Sequence, residues 1–403
     1  MSTGGSDACL SPERAEGLRT ALRTVGFDEV FFADATVAVP GQFDAWLAAG
    51  HHADMAWLER GRDKRLDPQL VLAGARSVIA LGVNYLPADP ELARQQRWAK
   101  YALHADYHDT IKAGLHAAGR IIESHLGHTR DDYRVYVDTG PVLERGWAAR
   151  AGLGWVGKNG MLISRRHGNW LFLGAILVRA ALPADEPLRI RSSRTADNDV
   201  GLLCGSCTRC LEACPTAAFP RPGWVDARRC ISYHTIENRG IIPRELRAGF
   251  GGRVFGCDTC LDVCPWNRFA QAGRSALLDA RRDLAALTLL DLLRLTEERF
   301  REVFRRTAIK RTGVAGLIRN ACIAAGNWDA TPEWHTPGVE RTEVAAVVED
   351  LCGHASEVVR AHAVWALVRL LGPDEALART ASRRVHETAA CVLDEYAAAE
   401  CPD

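Results

Sequence analysis

This sequence carries no net charge: 50 lysines and arginines are matched by 50 aspartates and glutamates over 403 residues. Nothing in that balance draws the whole chain toward nucleic acid or an anionic membrane. No stretch reaches the ~18 consecutive apolar residues of a membrane span. The opening segment has no basic n-region, no apolar h-region and no twin arginine. A cytoplasmic location is therefore expected, where free thiols stay reduced. Apolar residues make up 47% and charged residues 25%, as in an ordinary globular protein. The length predicts about two to four domains.

Cysteine, by contrast, is plentiful and patterned. Cys204, Cys207, Cys210 and Cys214 follow C-x2-C-x2-C-x3-C-P, and Cys257, Cys260 and Cys264 follow C-x2-C-x3-C-P. This is the spacing of a bacterial two-cluster ferredoxin, in which the fourth cysteine of a run ligates the other cluster. The second run is one cysteine short, and Cys230 is the natural substitute. The pattern predicts two [4Fe–4S] clusters. Cys204, Cys207, Cys210 and Cys264 hold one, and Cys214, Cys230, Cys257 and Cys260 hold the other. Zinc needs only isolated C-x2-C pairs. Disulfides are disfavoured by the close spacing and the missing signal. Cys9, Cys322, Cys352, Cys391 and Cys401 have no ligand spacing and read as core or surface thiols.

Around the cysteines the pattern changes. Residues 77–83, 134–138, 161–164 and 170–178 read as strands, and 107–125 and 142–151 as helices. An α/β or α+β region is expected there. Residues 182–200 read as a surface loop. The cluster segment spans 201–270. A leucine-rich stretch follows at 287–295. Residues 297–319 carry seven basic against three acidic side chains. Residues 329–341 read as a linker. The tail has helical periodicity, with 358–367 resembling the second helix of a HEAT repeat and 385–396 the start of the next. So few repeats cannot bury a core alone, so the tail should pack on the main body.

Gly152, Gly154 and Gly157 match G-x-G-x-x-G, and Gly157-Lys158 mimics the end of a P-loop. Asn159 stands where Ser or Thr would hold magnesium. Both nucleotide motifs need strand, loop, helix, whereas the order expected here is helix, loop, strand. The helix N-terminus that binds phosphate is missing. Two readings remain: a tight turn, or a close backbone approach to a large flat ligand.

Several blocks resemble the epoxyqueuosine reductases, cobalamin-dependent enzymes that modify tRNA. They are Asp54-Met55, Lys64-Arg65-Leu66-Asp67-Pro68, Asp106-Tyr107-His108, Val137-Asp138-Thr139-Gly140 and the glycine loop through Asn159. Asp226-Ala227-Arg228-Arg229-Cys230-Ile231-Ser232-Tyr233 is the most specific. The cysteine blocks, Ile309-Lys310-Arg311 and Arg319-Asn320 complete the match. His234 and the insertion at 182–200 look atypical.

The resemblance implies reduction of an epoxide on a tRNA base to an alkene, with loss of water. It implies an α+β protein with three parts: an N-terminal α/β cobalamin-binding domain (1–200), a ferredoxin-like two-cluster domain (201–270) and a helical region with a HEAT-like tail (271–403). Two clusters relay electrons, and cobalamin carries the hard chemistry. The absence of D-x-H-x-x-G fits a cobalamin with no protein histidine on cobalt. Asp138 matches the family's proton donor and should be buried against the cofactor with a near-neutral pKa. Its plain alternative is a turn or helix cap. Arg65, Ser232 and Asp258 match cobalamin contacts, with Leu162 and Leu173 contributing backbone. Each of the three polar residues also reads as an ordinary surface or satisfied group. Tyr107 and His108 are expected to line the site. Lys310, Arg311 and Arg319, with Arg299, Arg301, Arg305 and Arg306, read either as a tRNA phosphate face or as a solvated helix face. The partners implied are a tRNA anticodon stem-loop carrying epoxyqueuosine and an electron donor of unknown identity. A monomer with no membrane contact is expected. Two other functions compete. Corrinoid dehalogenases are typically exported with a twin-arginine signal. An electron carrier needs only about 60 residues for two clusters.

Overall fold

The computed structural model describes residues 9–35, 42–189, 200–274, 277–278 and 280–400. Its framework is a four-stranded sheet in the order β1-β2-β6-β3. The strands are β1 (Glu29–Asp34), β2 (Ser77–Asn84), β3 (Tyr133–Tyr136) and β6 (Leu171–Val178). A short hairpin pairs β4 (Trp155–Val156) with β5 (Leu162–Ile163). Every ladder is antiparallel. The α/β expectation for the N-terminal region is thereby corrected, while α+β holds for the chain.

The misreading has a physical source. All eight residues of β2 are buried, because helices cover both faces of the sheet. Ile79, Leu81 and Val83 share a core with Leu18 and Leu22 of α1 (Pro12–Thr24) and with Ile111 and Leu115 of α2 (Tyr107–Leu126). Val78 and Ala80 meet Trp147 and Ala148 of α3 (Glu144–Arg150) on the other face. A strand covered on both faces reads as a continuous apolar run, the pattern usual for parallel sheets. Strand β1 and helix α1 escaped the sequence reading, although Ser11 caps α1 and Pro12 opens it.

The β3–β6 ladder stops at Tyr136 and Ala175. Asp138 therefore lies two residues beyond the strand, with a left-handed backbone (φ 56°). Aspartate is among the few non-glycine residues that tolerate this region. Past Ala175, Leu173 is paired within the sheet only to Gly82.

The glycine loop joins α3 to β4, so the helix–loop–strand order holds. A Cβ on Gly152 (φ +80°) would lie 2.3 Å from the Glu186 carbonyl oxygen, and one on Gly154 2.3 Å from that of Ile163. These glycines make room for the chain's own backbone. At Gly152 and Gly154 the tight-turn reading stands.

The expected loops are partly ordered. Asp185 accepts the Phe32 N–H at 2.7 Å and pairs with Arg19. Residues 190–199 of the expected surface loop, and Cys401, lie outside the described residues. The expected linker 329–341 is pinned by buried Trp334, whose indole donates to the Gly252 carbonyl at 2.8 Å.

The remaining framework is helical: α4 (Ile231–Ile236), α5 (Gly313–Gly326), α6 (Arg341–Leu351), α7 (Glu357–Leu371), α8 (Pro373–Val385) and α9 (Ala390–Glu400). The single helix expected near 385–396 is instead the end of α8, a turn and most of α9. Helix α7 is apolar nearly all round because it is sandwiched between α5 and the other tail helices. The tail packs on the body as expected. Arg247 Nη2 donates to Glu395 at 2.7 Å with both side chains enclosed, and the Ile242 N–H donates to His362 Nε2 at 3.2 Å. One hydrophobic core includes both Leu18 and Tyr396. Among the described residues no helix is long and apolar enough to cross a membrane.

Candidate active site and cluster sites

Cys204, Cys207, Cys210 and Cys264 line one cavity of about 270 Å³. Burial, then the neighbouring Cys204, Cys264 and Cys207, push the Cys210 thiol up to about 11. Burial, helped by Cys257 and Cys214, raises Cys230 to about 11. Cys260 is raised by burial and then by Cys257 and Cys230, with Cys214 also acting on it. The thiols thus interact within the two sets of four that the crossing pattern predicts. Among the described residues no three His, Cys, Asp or Glu groups converge as ligands of a single ion. Four thiols around a cavity fit a multi-iron cluster better than zinc, whose thiolates close to ~2.3 Å around one atom.

The decoy motif has a structural task. Lys158 Nζ donates to the carbonyls of Gly205 (2.7 Å) and Cys207 (3.0 Å). Asn159 Nδ2 donates to Asn169 Oδ1 at 2.9 Å, and Asn169 Nδ2 donates to Asn267 Oδ1 at 3.1 Å. Asn169 also hydrogen-bonds Cys264. The β4–β5 hairpin thereby clamps both cysteine runs. Sequence reasoning missed this role. Its signal was the polar Lys-Asn-Gly turn between apolar strands.

Asp138 stands in a hydrogen-bonded array at the N-terminus of α2. Tyr107 Oη donates to Asp138 Oδ2 at 2.7 Å, and His108 Nε2 lies 3.1 Å from the same oxygen. His108 Nδ1 lies 2.7 Å from Asp106 Oδ1. Lys310 Nζ pairs with Asp106 Oδ2 at 2.9 Å. Burial lowers His108, but the bonds to Asp106 and Asp138 outweigh it and hold its pKa up at about 9. Burial raises Asp106, but His108 and Lys310 win and hold it well below the usual carboxylate range. The same balance applies to Asp138: burial raises it, yet His108, Tyr107 and the Arg311 charge leave it below its ordinary value. Without cobalamin beside it, Asp138 does not show the raised pKa expected of a carboxyl buried against that cofactor. Its side chain is 61% exposed and ionised, and the proton sits on His108. Water reaches this carboxylate directly.

The other expected residues divide. Arg65 joins Asp138: its Nη1 donates to the Gly140 carbonyl at 3.3 Å. Leu173 lies on the β6 edge left open beyond β3. Leu162 is buried with its side chain in the core beneath α3, and its backbone pairs with Val156. Ser232 is half-buried, and its N–H hydrogen-bonds the Cys230 sulfur. Asp258 accepts the Lys100 N–H at 2.7 Å. Burial, against Lys100, pushes Asp258 up to about 6. Lys310 and Arg311 lie beside the Asp138 array but are paired, with Asp106 and Glu237 respectively. Arg319 is corrected. It is fully buried and donates to the carbonyls of Asn238, Gly240 and His234 at 2.8, 3.0 and 2.6 Å. It has no face to offer RNA. His234, which looked atypical, is buried between the Arg228 carbonyl and the Asn238 amide.

Glu144, at the start of α3, was not singled out from the sequence. Its Oε1 is buried without a hydrogen-bond partner. Burial, then the Asp138 charge, pushes its carboxyl up to about 8. Its signal was its place four residues past the Val137–Gly140 block, beside Arg145. An orphaned acid, the Arg65 guanidinium and an open strand edge fit a cofactor rimmed with amides, which cobalamin is.

Comparison with known proteins gives concordant results. A family model described as "Epoxyqueuosine reductase QueG, DUF1730" matches residues 65–139, and one described as "4Fe-4S double cluster binding domain" matches 203–267. The chain is 36% identical to an epoxyqueuosine reductase of Vibrio cholerae over 371 residues, 90% of this chain and 92% of that protein. It is 38% identical to that of Escherichia coli K12 over 323 residues, 78% and 80% of the two. A crystal structure of an epoxyqueuosine reductase with a tRNA-Tyr epoxyqueuosine-modified stem loop matches with a TM-score of 0.79 at 25% identity. That match covers 96% of this chain and 98% of the other. With relatives this similar over most of its length, the chain belongs to the epoxyqueuosine reductase family of oxidoreductases.

Proposed function

We propose that this chain reduces epoxyqueuosine to queuosine at the wobble position of tRNA. The epoxide takes up two electrons and two protons, and its oxygen leaves as water. The observation that carries this reading is the Asp106–His108–Asp138 array, with Asp138 open to solvent, on the side of the inner cysteine set. Cys260 and Asp258 act on Tyr85, Asp258 and Asp138 both act on Tyr101, and the Tyr101 and Tyr107 rings meet edge-on at 6.0 Å.

The two cysteine sets would hold clusters that relay electrons one at a time, and Arg65, Leu173 and Glu144 would hold cobalamin, which would supply a strong reductant. The chain's own residues handle the proton. Asp138 uses Oδ2 for Tyr107 and His108, and Oδ1 is left for the substrate. His108 passes its proton through Asp138 to the departing oxygen. Asp106 holds the imidazole from behind, and Lys310 keeps Asp106 ionised. Proton donation placed in this way contributes roughly 10²–10⁴-fold. The helices of the tail extend this body, and their successive packing supports the HEAT-like reading.

The test is anaerobic incubation of the cluster-loaded protein with a modified anticodon stem-loop, followed by mass analysis of the wobble nucleoside. Loss of one oxygen that requires both cobalamin and reductant is expected. Conversion without cobalamin would remove the cofactor from the account. An unchanged nucleoside with clusters and base-off cobalamin both loaded would overturn the function.

A further inference from the structure

The two cysteine sets differ in their surroundings, and this carries an inference that rests on the electron relay just proposed. All eight thiols keep partial exposure, but Cys257 and Cys260 pack against the main hydrophobic core. Cys204, Cys207, Cys210 and Cys264 instead line the cavity of about 270 Å³. The inner set adjoins Asp258, Tyr85 and Tyr101 on the Asp138 side. The outer set is therefore the one that a partner can reach through a cavity.

The rim of that outer cavity has a distinct chemistry. Its charged lining residues, apart from the cysteines, are Lys158, Arg209 and Arg268, with no carboxylate among the described residues. Lys158 is committed to the Gly205 and Cys207 carbonyls. Arg209 and Arg268 are exposed, and among the described residues neither is in an ion pair with a carboxylate. Arg311 and Arg228, by contrast, are paired with Glu237 and Asp226. Beside them Phe269 leaves 44% of its surface open, with Arg268 stacked 4.5 Å from its ring centroid. Cations around an exposed aromatic form an interaction surface, because the ring supplies contact area and the charges steer the encounter.

We propose that the rim formed by Arg209, Arg268 and Phe269 over the outer cysteine set docks an acidic one-electron carrier protein. Each encounter oxidises the carrier by one electron and reduces the outer cluster by one. Two encounters deliver the pair that epoxide reduction consumes, and the protons come from the Asp138 array and solvent. Such contacts are small and transient, burying less than about 1,200 Å², so charge governs their rate.

The test uses the full chain with both clusters loaded and reduced flavodoxin as the acidic probe. Stopped-flow bleaching of the cluster absorbance gives the bimolecular rate constant at several ionic strengths. Calorimetry with oxidised flavodoxin gives the affinity. The wild-type rate should fall steeply with salt. Arg209→Glu with Arg268→Glu should slow it ~10–100-fold at low ionic strength, the range of electrostatic steering, and weaken binding in parallel. The curves should meet near 1 M salt, where the Debye length is ~3 Å. The milder Arg209→Gln with Arg268→Gln should fall between. Dithionite should reduce all proteins to the same extent. Equal rates and salt slopes with flavodoxin would overturn the docking surface and leave the relay intact. Matching losses of iron or of dithionite reduction in both double variants would also overturn it, by assigning the arginines to the cluster itself. Failure of dithionite to reduce the wild type would instead remove the relay on which the proposal rests.

Discussion

Replacing His108 with Gln removes the proton store while keeping a hydrogen-bond donor. With a pKa of about 9, His108 is protonated in about 99% of molecules at pH 7. Without it, Asp138 must take its proton from water. A carboxyl at its ordinary 3.8 is protonated at pH 7 in only about one molecule in 10³. Turnover should therefore fall roughly 10²–10³-fold at pH 7, the lower bound allowing for burial, which raises Asp138 once the imidazolium is gone. The pH profile should change shape as well. Wild-type turnover holds through neutrality and declines above about 9, as His108 deprotonates. The variant should gain ~tenfold per unit as pH falls, until Asp138 titrates. Stability follows the same sign. A histidine raised from 6.5 to about 9 stabilises the fold below 6.5, and that contribution is lost as pH rises through 9. The rise corresponds to about 3.4 kcal/mol, discounted to about 2 kcal/mol because Asp138 is largely exposed and screened. The assay is single-turnover product formation with reductant in excess, from about pH 5.5 to 9.5, a range that crosses the His108 titration near 9. Parallel profiles for wild type and variant would refute the relay.

Other outcomes follow from the same geometry. Cys230→Ala should cost one cluster and spare the other, so iron falls from about eight per chain to roughly half; an unaltered iron content and paramagnetic signal would remove Cys230 from the ligands. Arg319→Ala strips donors from three buried carbonyls at ~1–3 kcal/mol each, so the thermal midpoint should drop sharply while the salt dependence of tRNA binding stays unchanged in folded protein. Lost RNA affinity at unchanged stability would contradict its buried placement. Lys310→Ala with Arg311→Ala should flatten the salt slope of tRNA binding by less than the ~1.8 due to two unpaired cations, since Asp106 and Glu237 already hold them. A full flattening would mean that both ion pairs open on the RNA.

Much of the site was legible because chemistry imposes spacing. The cluster thiols were readable from C-x2-C-x2-C-x3-C-P, since one short run must wrap each cluster, and even the crossing of Cys214 and Cys264 survives in their neighbours. Asp138 was legible as a residue through its family block, but its charge state was not. That depends on His108 and Asp106, which meet it only once α2 docks beside the end of β3. Arg319 shows the converse. A string of basic residues says nothing about which side chain turns inward, and here the carbonyls at the end of α4 claimed one. The antiparallel sheet was hidden for a related reason: two covered faces erase the alternation that would have revealed it. Lys158 and Asn159 were visible only as a failed nucleotide motif, because their partners lie on the cysteine runs.

The most direct test of the central claim is the turnover of Asp138→Asn, loaded with both clusters and cobalamin, on a stem-loop carrying epoxyqueuosine. The variant keeps the shape of the carboxylate and cannot carry the acidic proton. The account predicts intact cobalamin and tRNA binding, with queuosine formation reduced roughly 10²–10⁴-fold. Queuosine formed at a near-normal rate would contradict it.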